Sequence, residues 1–475
     1  MKNYIYKITI IATMVMMLGS CSDFLDVEPK DKILGENVYN SELSINNVVN
    51  GIYLNLADKN LYGQQLSMDA VEILGQQYNT ANPHVKEKIG SYSYGENNVK
   101  SVFSAIWEKS YMTILTVNKF IVDIDENPNV ISTEKSDILK GEAYAIRATL
   151  HFDLLRLYGP IYAVNPLDKS IPYYTEPQVK ASPILPGTQV IDKVLADLDM
   201  SLELLANDPV LTLGPNGASP FQGDTFYANR GQRLNYFAVK ALKARVLLYA
   251  GYKEEAFAVA NEVINAGTAF FPWTTLSEAT DVSSPDRIFS KEIYFFFFFS
   301  QLYATQARLF DYSLISVAIY APIAERSNTL FESDNDYRNL PTWKIPPANH
   351  AFKTFFKYAD VNDKLKRFRF LQPIVKKAEM YLIAAECAPD NTTAFTYLNT
   401  LRNNRGLIDL DETADRDNEI WNEYKREFYG EGQLFFFYKR LNWTDIPDGN
   451  SDWWIPMSPS TYVVPLPDLE KIYNN

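Results

Sequence analysis

The stretch that decides the fold is ALKARVLLYAGYKEEAFAVANEVI, which occupies residues 241–264. It continues a helix rich in small residues, which the apolar pattern places over Leu234–Tyr249. Ala250–Lys253 then form a turn around a glycine, and an amphipathic partner helix follows over Glu254–Asn265, before Gly267. A small-residue helix, a glycine turn and an amphipathic second helix predict an antiparallel helical hairpin.

Further helices are predicted on both sides of this hairpin, because apolar residues recur there at helical spacing. The predicted helices are Ser101–Asp125, Ser136–Tyr158 and Thr188–Ala206 upstream, and Ile374–Glu386 and Thr392–Asn404 downstream. Asp137 is a candidate cap for the second of them, and Gly159-Pro160 ends it. The clearest apolar stripe belongs to the third and consists of Ile191, Val194, Leu195, Leu198, Leu202 and Leu205. The sequence therefore predicts a mainly α fold.

The hairpin at 241–264 resembles a tetratricopeptide repeat unit, and Ala148-x-x-x-Phe152 in an upstream helix echoes the same repeat. Small residues such as Ala244 and Ala384 permit neighbouring helices to approach closely. The alternative is a set of ordinary helical hairpins that do not stack as repeats. In both cases helices dominate the first 270 residues or so and return after about residue 373.

Residues 268–372 have a different character, since they are rich in proline, serine, asparagine and aromatic residues. The region contains one predicted strand, the buried run Tyr294–Phe299, and otherwise little periodicity. Irregular stretches of this length are uncommon in compact chains and are often functional. We therefore predict one body over 21–475, in which a helical scaffold (about 40–267 and 373–440) supports an irregular, loop-rich ligand lobe (about 268–372) with little strand.

Composition excludes several classes of partner. The chain has 475 residues, 47% of them apolar and 22% charged, which is typical of a packed globular protein. Its net charge of −13 argues against nucleic acid, which needs concentrated positive charge, and against a surface drawn to anionic lipid by charge alone. The three histidines lie far apart and there are only two cysteines, so we expect neither a metal site nor a cofactor.

The N-terminus has the features of a secretion signal. MKNYIYK is positively charged, and the thirteen-residue apolar run ITIIATMVMMLGS follows it directly and ends before Cys21. This run is too short to span a bilayer comfortably. Leu18-Gly19-Ser20-Cys21 resembles a bacterial lipobox, in which the cysteine is acylated and becomes the new N-terminus. Residues 1–20 are thus predicted to be a lipoprotein signal peptide and Cys21 the lipid anchor; the alternative is an ordinary signal peptide followed by a chance cysteine.

The sequence from Cys21 onwards, CSDFLDVEPKD, resembles the mature start of the SusD/RagB family, and acids directly after the cysteine resemble a surface-export signal of Bacteroidetes lipoproteins. Further stretches match the family in order. They are GEAYAIRATLHFDLLRLYGP at 141–160, Asp197-Leu198, Ser290–Tyr294, Ala378–Leu382 with Ala384–Glu386, Leu398–Asn403, Arg426–Phe428 with Glu431-Gly432, and Val464–Pro467 with Glu470. The family usually has Arg and Asp after Glu-Gly, where this chain has Leu434 and Phe437, so the resemblance is to a divergent member.

The resemblance implies a lipid-anchored nutrient-binding protein on the outer face of the outer membrane. Such a protein delivers a glycan to a TonB-dependent SusC-like transporter, and the alternative within the family is a peptide ligand, as for RagB-like members. Outside the family, a helical-repeat scaffold without a small ligand and a lipid-anchored hydrolase stay open. No nucleophile elbow, zinc-protease motif, phosphate-binding loop or dinucleotide-binding motif is found, so we expect no enzyme. The polar cluster Arg426/Glu427/Glu431 is interpreted as a structural ion-pair network around the last helices.

Candidate ligand residues follow from the shape of a sugar, which has an apolar C–H face and a rim of hydroxyl groups. Aromatic platforms with polar partners suit such a ligand, and they function best on loops held by a rigid scaffold. The resemblance places the ligand face in Tyr62–Asn82 and Phe299–Asn349. The candidates are Asp69, Tyr78, Asn79, Tyr303, Tyr320 and Trp343. Trp343 lies in the proline-bounded stretch Leu340–Pro347, so its ring either packs back onto the core or faces outward to stack on a sugar.

Overall fold

Residues 39–178 and 180–473 are described by the structure, which is a computed structural model. The predicted signal peptide at 1–20 and the predicted anchor Cys21 lie outside the described residues and stay predictions.

Helices make up most of the regular structure, so the prediction of a mainly α fold is confirmed. The helices are α1 Glu42–Leu56, α2 Ala70–Leu74, α3 Glu87–Gly90, α4 Asn97–Glu126, α5 Thr133–Tyr158, α6 Gly187–Leu204, α7 Val210–Leu213, α8 Tyr236–Ala250, α9 Lys253–Gly267, α10 Leu276–Ala279, α11 Leu302–Phe310, α12 Ala324–Thr329, α13 Asn339–Thr342, α14 Lys377–Cys387, α15 Asn391–Asn403, α16 Arg416–Glu427, α17 Leu434–Arg440, α18 Pro459–Tyr462 and α19 Asp468–Tyr473.

Strands are short and pair two by two, always antiparallel. The strands are β1 Lys169–Pro172, β2 Ile184–Pro186, β3 Ile293–Phe298, β4 Trp343–Lys344, β5 Thr354–Phe355, β6 Leu371–Lys376, β7 Asp445–Pro447 and β8 Trp454–Pro456. The pairs are β1 with β2, β3 with β6, β4 with β5, and β7 with β8.

The scaffold is a continuous array in which α4, α5, α6, α8, α9, α14 and α15 pack in succession, each against the next. Local sequence explains the hairpin α8–α9: the Asn235 side chain accepts a hydrogen bond from the main-chain N–H of Ala238 at the start of α8. Gly251 ends that helix with a φ of +83°, a left-handed conformation that glycine adopts without steric cost. The predicted hairpin therefore forms where the sequence places it.

Buried ion pairs join the helices of this array. The guanidinium of Arg147 on α5 donates to both carboxylate oxygens of Asp197 on α6, at 2.7 and 2.6 Å. Arg245 on α8 binds Glu379 on α14 in the same two-pronged way, at 2.6 and 2.7 Å. Removing one partner of such a pair leaves an uncompensated buried charge, so these contacts fix how the helices meet.

The structure corrects three local predictions. The N-terminal cap of α5 is Ser132, whose hydroxyl accepts from the N–H of Lys135, and not Asp137. The segment around Ile374 is strand β6 and the helix begins only at Lys377, because β6 pairs with the phenylalanine-rich strand β3. The irregular region contains β4 and β5 in addition to the one strand expected there. Apolar residues of the scaffold and of this region belong to one hydrophobic core.

Candidate functional site

Three of the predicted ligand residues lie together but in the interior. Asp69, Tyr78 and Tyr320 are buried, and the Tyr320 hydroxyl donates to Asp69 Oδ1 at 2.8 Å. Asp69 Oδ2 accepts from Gln64 at 2.6 Å and pairs with Lys86 at 3.2 Å. The Tyr78 hydroxyl donates to the carbonyl of Met68, and its ring lies 5.0 Å from that of Tyr320.

Trp343 takes the inward alternative and is only 5% exposed. Its ring packs against Phe355 at 5.0 Å and Tyr429 at 4.7 Å, and Tyr429 in turn contacts Tyr78 at 5.7 Å. Tyr78 and Tyr320 are buried in the same way, because large rings next to one another exclude more water by packing together than by facing solvent. We call Tyr78, Tyr320, Trp343 and Tyr429 the buried aromatic layer.

The other two candidates are placed differently. Asn79 is exposed, and its side-chain oxygen accepts from the N–H of Ala81. Tyr303 is half-buried and stacks on Phe370 at 4.4 Å, with the Arg369 guanidinium 5.5 Å from its ring. The ring contacts described for Tyr303 are with Phe370 and Arg369, and none is with the buried aromatic layer.

A cleft of about 220 Å³ borders the buried aromatic layer, because Tyr429 belongs to both. Its walls come from the segment after α2, from α12, α16 and α17, and from the β7–β8 hairpin. The side chains that matter below are Gln77, Arg326, Trp421, Lys425, Tyr438 and Trp454. We call this space the tryptophan cleft.

The wall formed by the β7–β8 hairpin is held close to the chain after α2. A Cβ at Gly449 would come within 2.5 Å of the Tyr78 carbonyl oxygen, so only glycine permits this approach. The side chain of Gln76 accepts from the N–H of Gly449 at 3.0 Å and donates to the carbonyl of Gly90 at 2.8 Å. Thr80 adds a main-chain donor to the side chain of Asn450 at 2.7 Å.

Aromatic rings form one side of the tryptophan cleft. Trp421 on α16 lies 5.9 Å from Trp454 on β8, and Trp443 stacks on Trp454 at 6.2 Å with an angle of 21° between the ring planes. The Trp421 indole N–H donates to the Tyr438 hydroxyl at 3.1 Å. Trp454 is 52% exposed, so this ring offers a free aromatic surface to a ligand.

Polar groups complete the lining. Lys425 Nζ lies 3.4 Å from the centre of the Trp421 ring, and burial lowers the pKa of this lysine to about 7. The Arg326 guanidinium donates to the carbonyls of Gln76, at 2.6 Å, and of Asp448. Burial is also the main cause that lowers the pKa of Arg326. Gln77 is buried, and within the described structure its side-chain nitrogen has no hydrogen-bond partner.

An extensive ion-pair network lies behind the cleft and holds α16. It contains residues of the Arg426/Glu427/Glu431 cluster, which the sequence analysis interpreted as a structural ion-pair network. Arg426 binds Glu423 at 2.8 Å and Glu332 at 3.1 Å. Glu427 accepts from Arg405 and Arg338 at 2.6 and 2.8 Å. All these residues except Glu332 are buried, so the network's role here is to position the helix that carries Trp421 and Lys425.

The tryptophan cleft lacks the geometry of a glycosidase. Such enzymes use two carboxyl groups that flank the scissile bond. Asp452 is the single carboxylate among the described residues that line this cleft. Over residues 39–178 and 180–473, no cluster of three or more His, Cys, Asp or Glu residues could hold a metal ion. In that same part of the chain, no helix is both long and apolar enough to cross a membrane.

Sequence reasoning missed the residues that line the cleft. A usable signal was present in DGNSDWW, residues 448–454. Two adjacent tryptophans follow a polar turn there, and neighbouring side chains on an extended segment point to opposite sides, so one of the two rings is expected to face solvent. Trp421 and Lys425 are spaced i, i+4 on a helix and so share one face. No local signal identifies Gln77 or Arg326, because their place in the cleft depends on contacts between distant segments.

Comparisons with known proteins agree with this architecture. Residues 23–216 match a family profile described as "Starch-binding associating with outer membrane", and residues 372–459 match the profile "SusD family"; together they cover more than half of the chain. A SusD-like protein P25 from Formosa agariphila is 27% identical over 206 residues. That match covers 42% of this chain and 37% of the relative, so the chain matches little more than a third of that protein's length.

Solved structures share the fold over nearly the whole chain. A SusD superfamily protein from Bacteroides thetaiotaomicron has a TM-score of 0.71 at 20% identity, covering 91% of this chain and 98% of its own. A SusD-like carbohydrate binding protein from Bacteroides vulgatus has a TM-score of 0.69 at 18% identity, covering 92% and 97%. These likenesses confirm the tetratricopeptide-like helical fold.

Proposed function

This chain is a divergent member of the SusD/RagB family, and on that premise we propose that it captures a glycan at the cell surface and passes it to a TonB-dependent transporter of the SusC type. We further propose that Cys21 carries a lipid that anchors the protein in the outer membrane. The lipobox-like sequence before Cys21 and the acidic residues after it support this location.

The observation that carries the proposal is the tryptophan cleft. Trp454 offers a half-exposed indole face, and Trp421 and Tyr438 extend the aromatic surface inward. A sugar ring can stack its C–H face on such a surface while its hydroxyl groups bond to polar neighbours. The unpartnered amide nitrogen of Gln77 is one such neighbour. Tyr429, which borders the cleft, is already packed against Tyr78 and Trp343 of the buried aromatic layer. This part of the cleft therefore needs no rearrangement when a ligand binds.

Rigid support is the second argument for ligand binding at this place. The cleft is assembled from five segments that come from three distant parts of the chain, and each segment is tied to a neighbour by hydrogen bonds or ion pairs. Preorganised aromatic surfaces lose little entropy when a ligand binds, so more of the contact energy appears as affinity.

Adjacent tryptophans provide the test. Trp454 lines the cleft, whereas Trp453 is 79% exposed and does not. We expect Trp454→Ala to lower the affinity of the full mature chain for its glycan by roughly thirtyfold, the effect of losing about 2 kcal/mol. Trp453→Ala, which removes the same kind of ring, should change it by less than about threefold. Titration calorimetry against a panel of oligosaccharides and short peptides measures both.

Three results would count against the proposal. Equal losses in the two variants would show that the cleft is not where the glycan binds. If peptides bind and no oligosaccharide does, the ligand is a peptide and not a glycan. Release of shortened products from the panel would identify a hydrolase.

A further inference from the structure

The charge of the tryptophan cleft is opposite to that of the protein. The chain carries a net charge of −13, yet two cations, Lys425 and Arg326, line this cleft with one carboxylate, that of Asp452. Asp452 is exposed, and among the described residues it forms no ion pair, so its charge is screened by water. The two cations are half-buried, where their charge is screened much less.

Lys425 lacks the partners that other enclosed cations of this protein have. Among the described residues, no carboxylate lies within ion-pair distance of its ammonium and no hydrogen bond is formed by it; its close contact is the Trp421 ring. The next residue, Arg426, binds two glutamates. Lys439 also has no carboxylate partner, but its ammonium donates to three main-chain carbonyls, at 2.8, 3.3 and 2.8 Å. Lys425 therefore has its donors available to a ligand.

Arg326 and Gln77 add donors on the same cleft. Arg326 donates hydrogen bonds to two main-chain carbonyls, which carry no full charge. Within the described structure, no ion pair neutralises its positive charge. The Gln77 side chain is 4% exposed, and its amide nitrogen has no partner there. An unpaired buried donor is costly unless something accepts from it. Two cations and an orphaned N–H donor that line the same cleft are a set of groups that binds an oxyanion.

We propose that the glycan bound in the tryptophan cleft is acidic, and that a carboxylate or sulfate group on one of its sugars binds Lys425, Arg326 and Gln77. This inference rests on the proposed function. The anion supplies the counter-charge that Lys425 lacks in the free protein, while Trp454 stacks on a sugar ring. A neutral glycan contacts the aromatic surface alone. Lys425 and Arg326 therefore make the cleft bind the acidic glycan more tightly than its neutral counterpart.

The titration of Lys425 gives this selectivity a pH dependence. The charged groups around it are Arg426 and Glu419 on its own helix, Arg326 on α12 and Asp452 on the β7–β8 hairpin; burial and the two arginines lower its pKa to about 7, and Glu419 opposes them. The ammonium is fully formed below this pH and is lost as pH rises through it. Affinity for an acidic glycan should therefore fall between pH 6 and pH 8.5, and affinity for a neutral glycan should not.

The test uses four probes on the full mature chain: tetragalacturonate, its carboxyl-reduced counterpart, a sulfated carrageenan tetrasaccharide and its desulfated counterpart. Calorimetry at pH 6 and pH 8.5 gives each affinity for the natural protein, for Lys425→Met and for the control Lys240→Met. Methionine keeps an unbranched apolar stem against Trp421. Lys240 also lies over an aromatic ring, that of Tyr236, but on α8 and paired with Glu262.

We expect at least one acidic probe to bind tenfold or more tightly than its neutral counterpart at pH 6, and Lys425→Met to remove most of that difference. Preference for tetragalacturonate identifies a carboxylate as the anion, and preference for the carrageenan probe identifies a sulfate ester. Lys240→Met should keep the preference. A charge-assisted hydrogen bond accounts for an effect of roughly tenfold to a hundredfold.

Failure of this inference and failure of the proposed function give different results. If the neutral probes bind as tightly as the acidic ones and Trp454→Ala weakens both, the cleft binds glycans and the acidic preference is wrong. If Lys425→Met and Lys240→Met reduce acidic binding equally, the effect is one of net charge and the proposed anion site is wrong. If none of the four probes binds while a neutral oligosaccharide of the wider panel does, the acidic preference is wrong and the glycan function stands. If no oligosaccharide binds at all, both are overturned.

Discussion

Replacing Trp343 by alanine separates a structural role from a ligand role at a residue for which the sequence left both alternatives open. The ring is 5% exposed and packs edge to face against Tyr429 and at a tilt against Phe355. Truncation removes about 200 Å² of buried aromatic surface, which at about 25 cal/mol per Å² corresponds to about 5 kcal/mol. Measured losses for large aromatic residues in cores are about 3–5 kcal/mol. We therefore expect Trp343→Ala to lower the free energy of unfolding by about 3–5 kcal/mol.

Urea denaturation followed by circular dichroism measures this loss, with Trp454→Ala as the matched control. Trp454 is 52% exposed, so its truncation should cost less than about 1.5 kcal/mol while it lowers glycan affinity. The folded fraction of Trp343→Ala should bind glycan with an affinity close to that of the natural protein. A Trp343→Ala variant that keeps its stability within about 1 kcal/mol and loses binding would refute this reasoning.

Two further predictions concern other parts of the chain. Cys21→Ala should release the protein from the membrane or block its maturation, as membrane fractionation and mass spectrometry of the N-terminal peptide can show; normal retention without an attached lipid would contradict the anchor. Burial raises the pKa of Glu72 from 4.5 to about 8, although the main-chain N–H groups of Glu431 and Gly432 donate to its carboxyl group. Between those pH values the folded chain holds a proton that the unfolded chain has lost, so this group makes stability fall as pH rises from about 4.5 to about 8. Glu72→Gln should flatten that part of the stability curve in denaturation series at several pH values, and an unchanged slope would contradict the assignment.

The helical scaffold could be predicted because its signals are local. The stripe that begins at Ile191 and the turn at Gly251 both act within a few residues, and both elements form where the sequence places them. Strand β6 could not be predicted in the same way. Its segment is apolar enough for a helix, and it becomes a strand because it pairs with β3, a segment distant in sequence.

The candidate site was harder to predict, since burial is decided by partners far away in the chain. Asp69 is buried by Tyr320, 251 positions downstream, and nothing near Asp69 in sequence indicates that hydroxyl. Proline on both sides of Trp343 indicated an irregular segment, but Trp343 begins the short strand β4, and Tyr429 decides that the ring points inward. The family resemblance placed the ligand face in two loops that supply part of the wall of the tryptophan cleft, through Gln77 and Arg326. The exposed rings come from α16 and the β7–β8 hairpin instead.

The binding of a glycan in the tryptophan cleft can be tested most directly by a crystal structure of the full mature chain with the oligosaccharide that binds best. We predict a sugar ring stacked on Trp454, with an acidic group within about 3.2 Å of Lys425 Nζ. An oligosaccharide bound elsewhere, for example in the hollow of about 350 Å³ beside Trp107 and Tyr174, with the tryptophan cleft unoccupied, would contradict it.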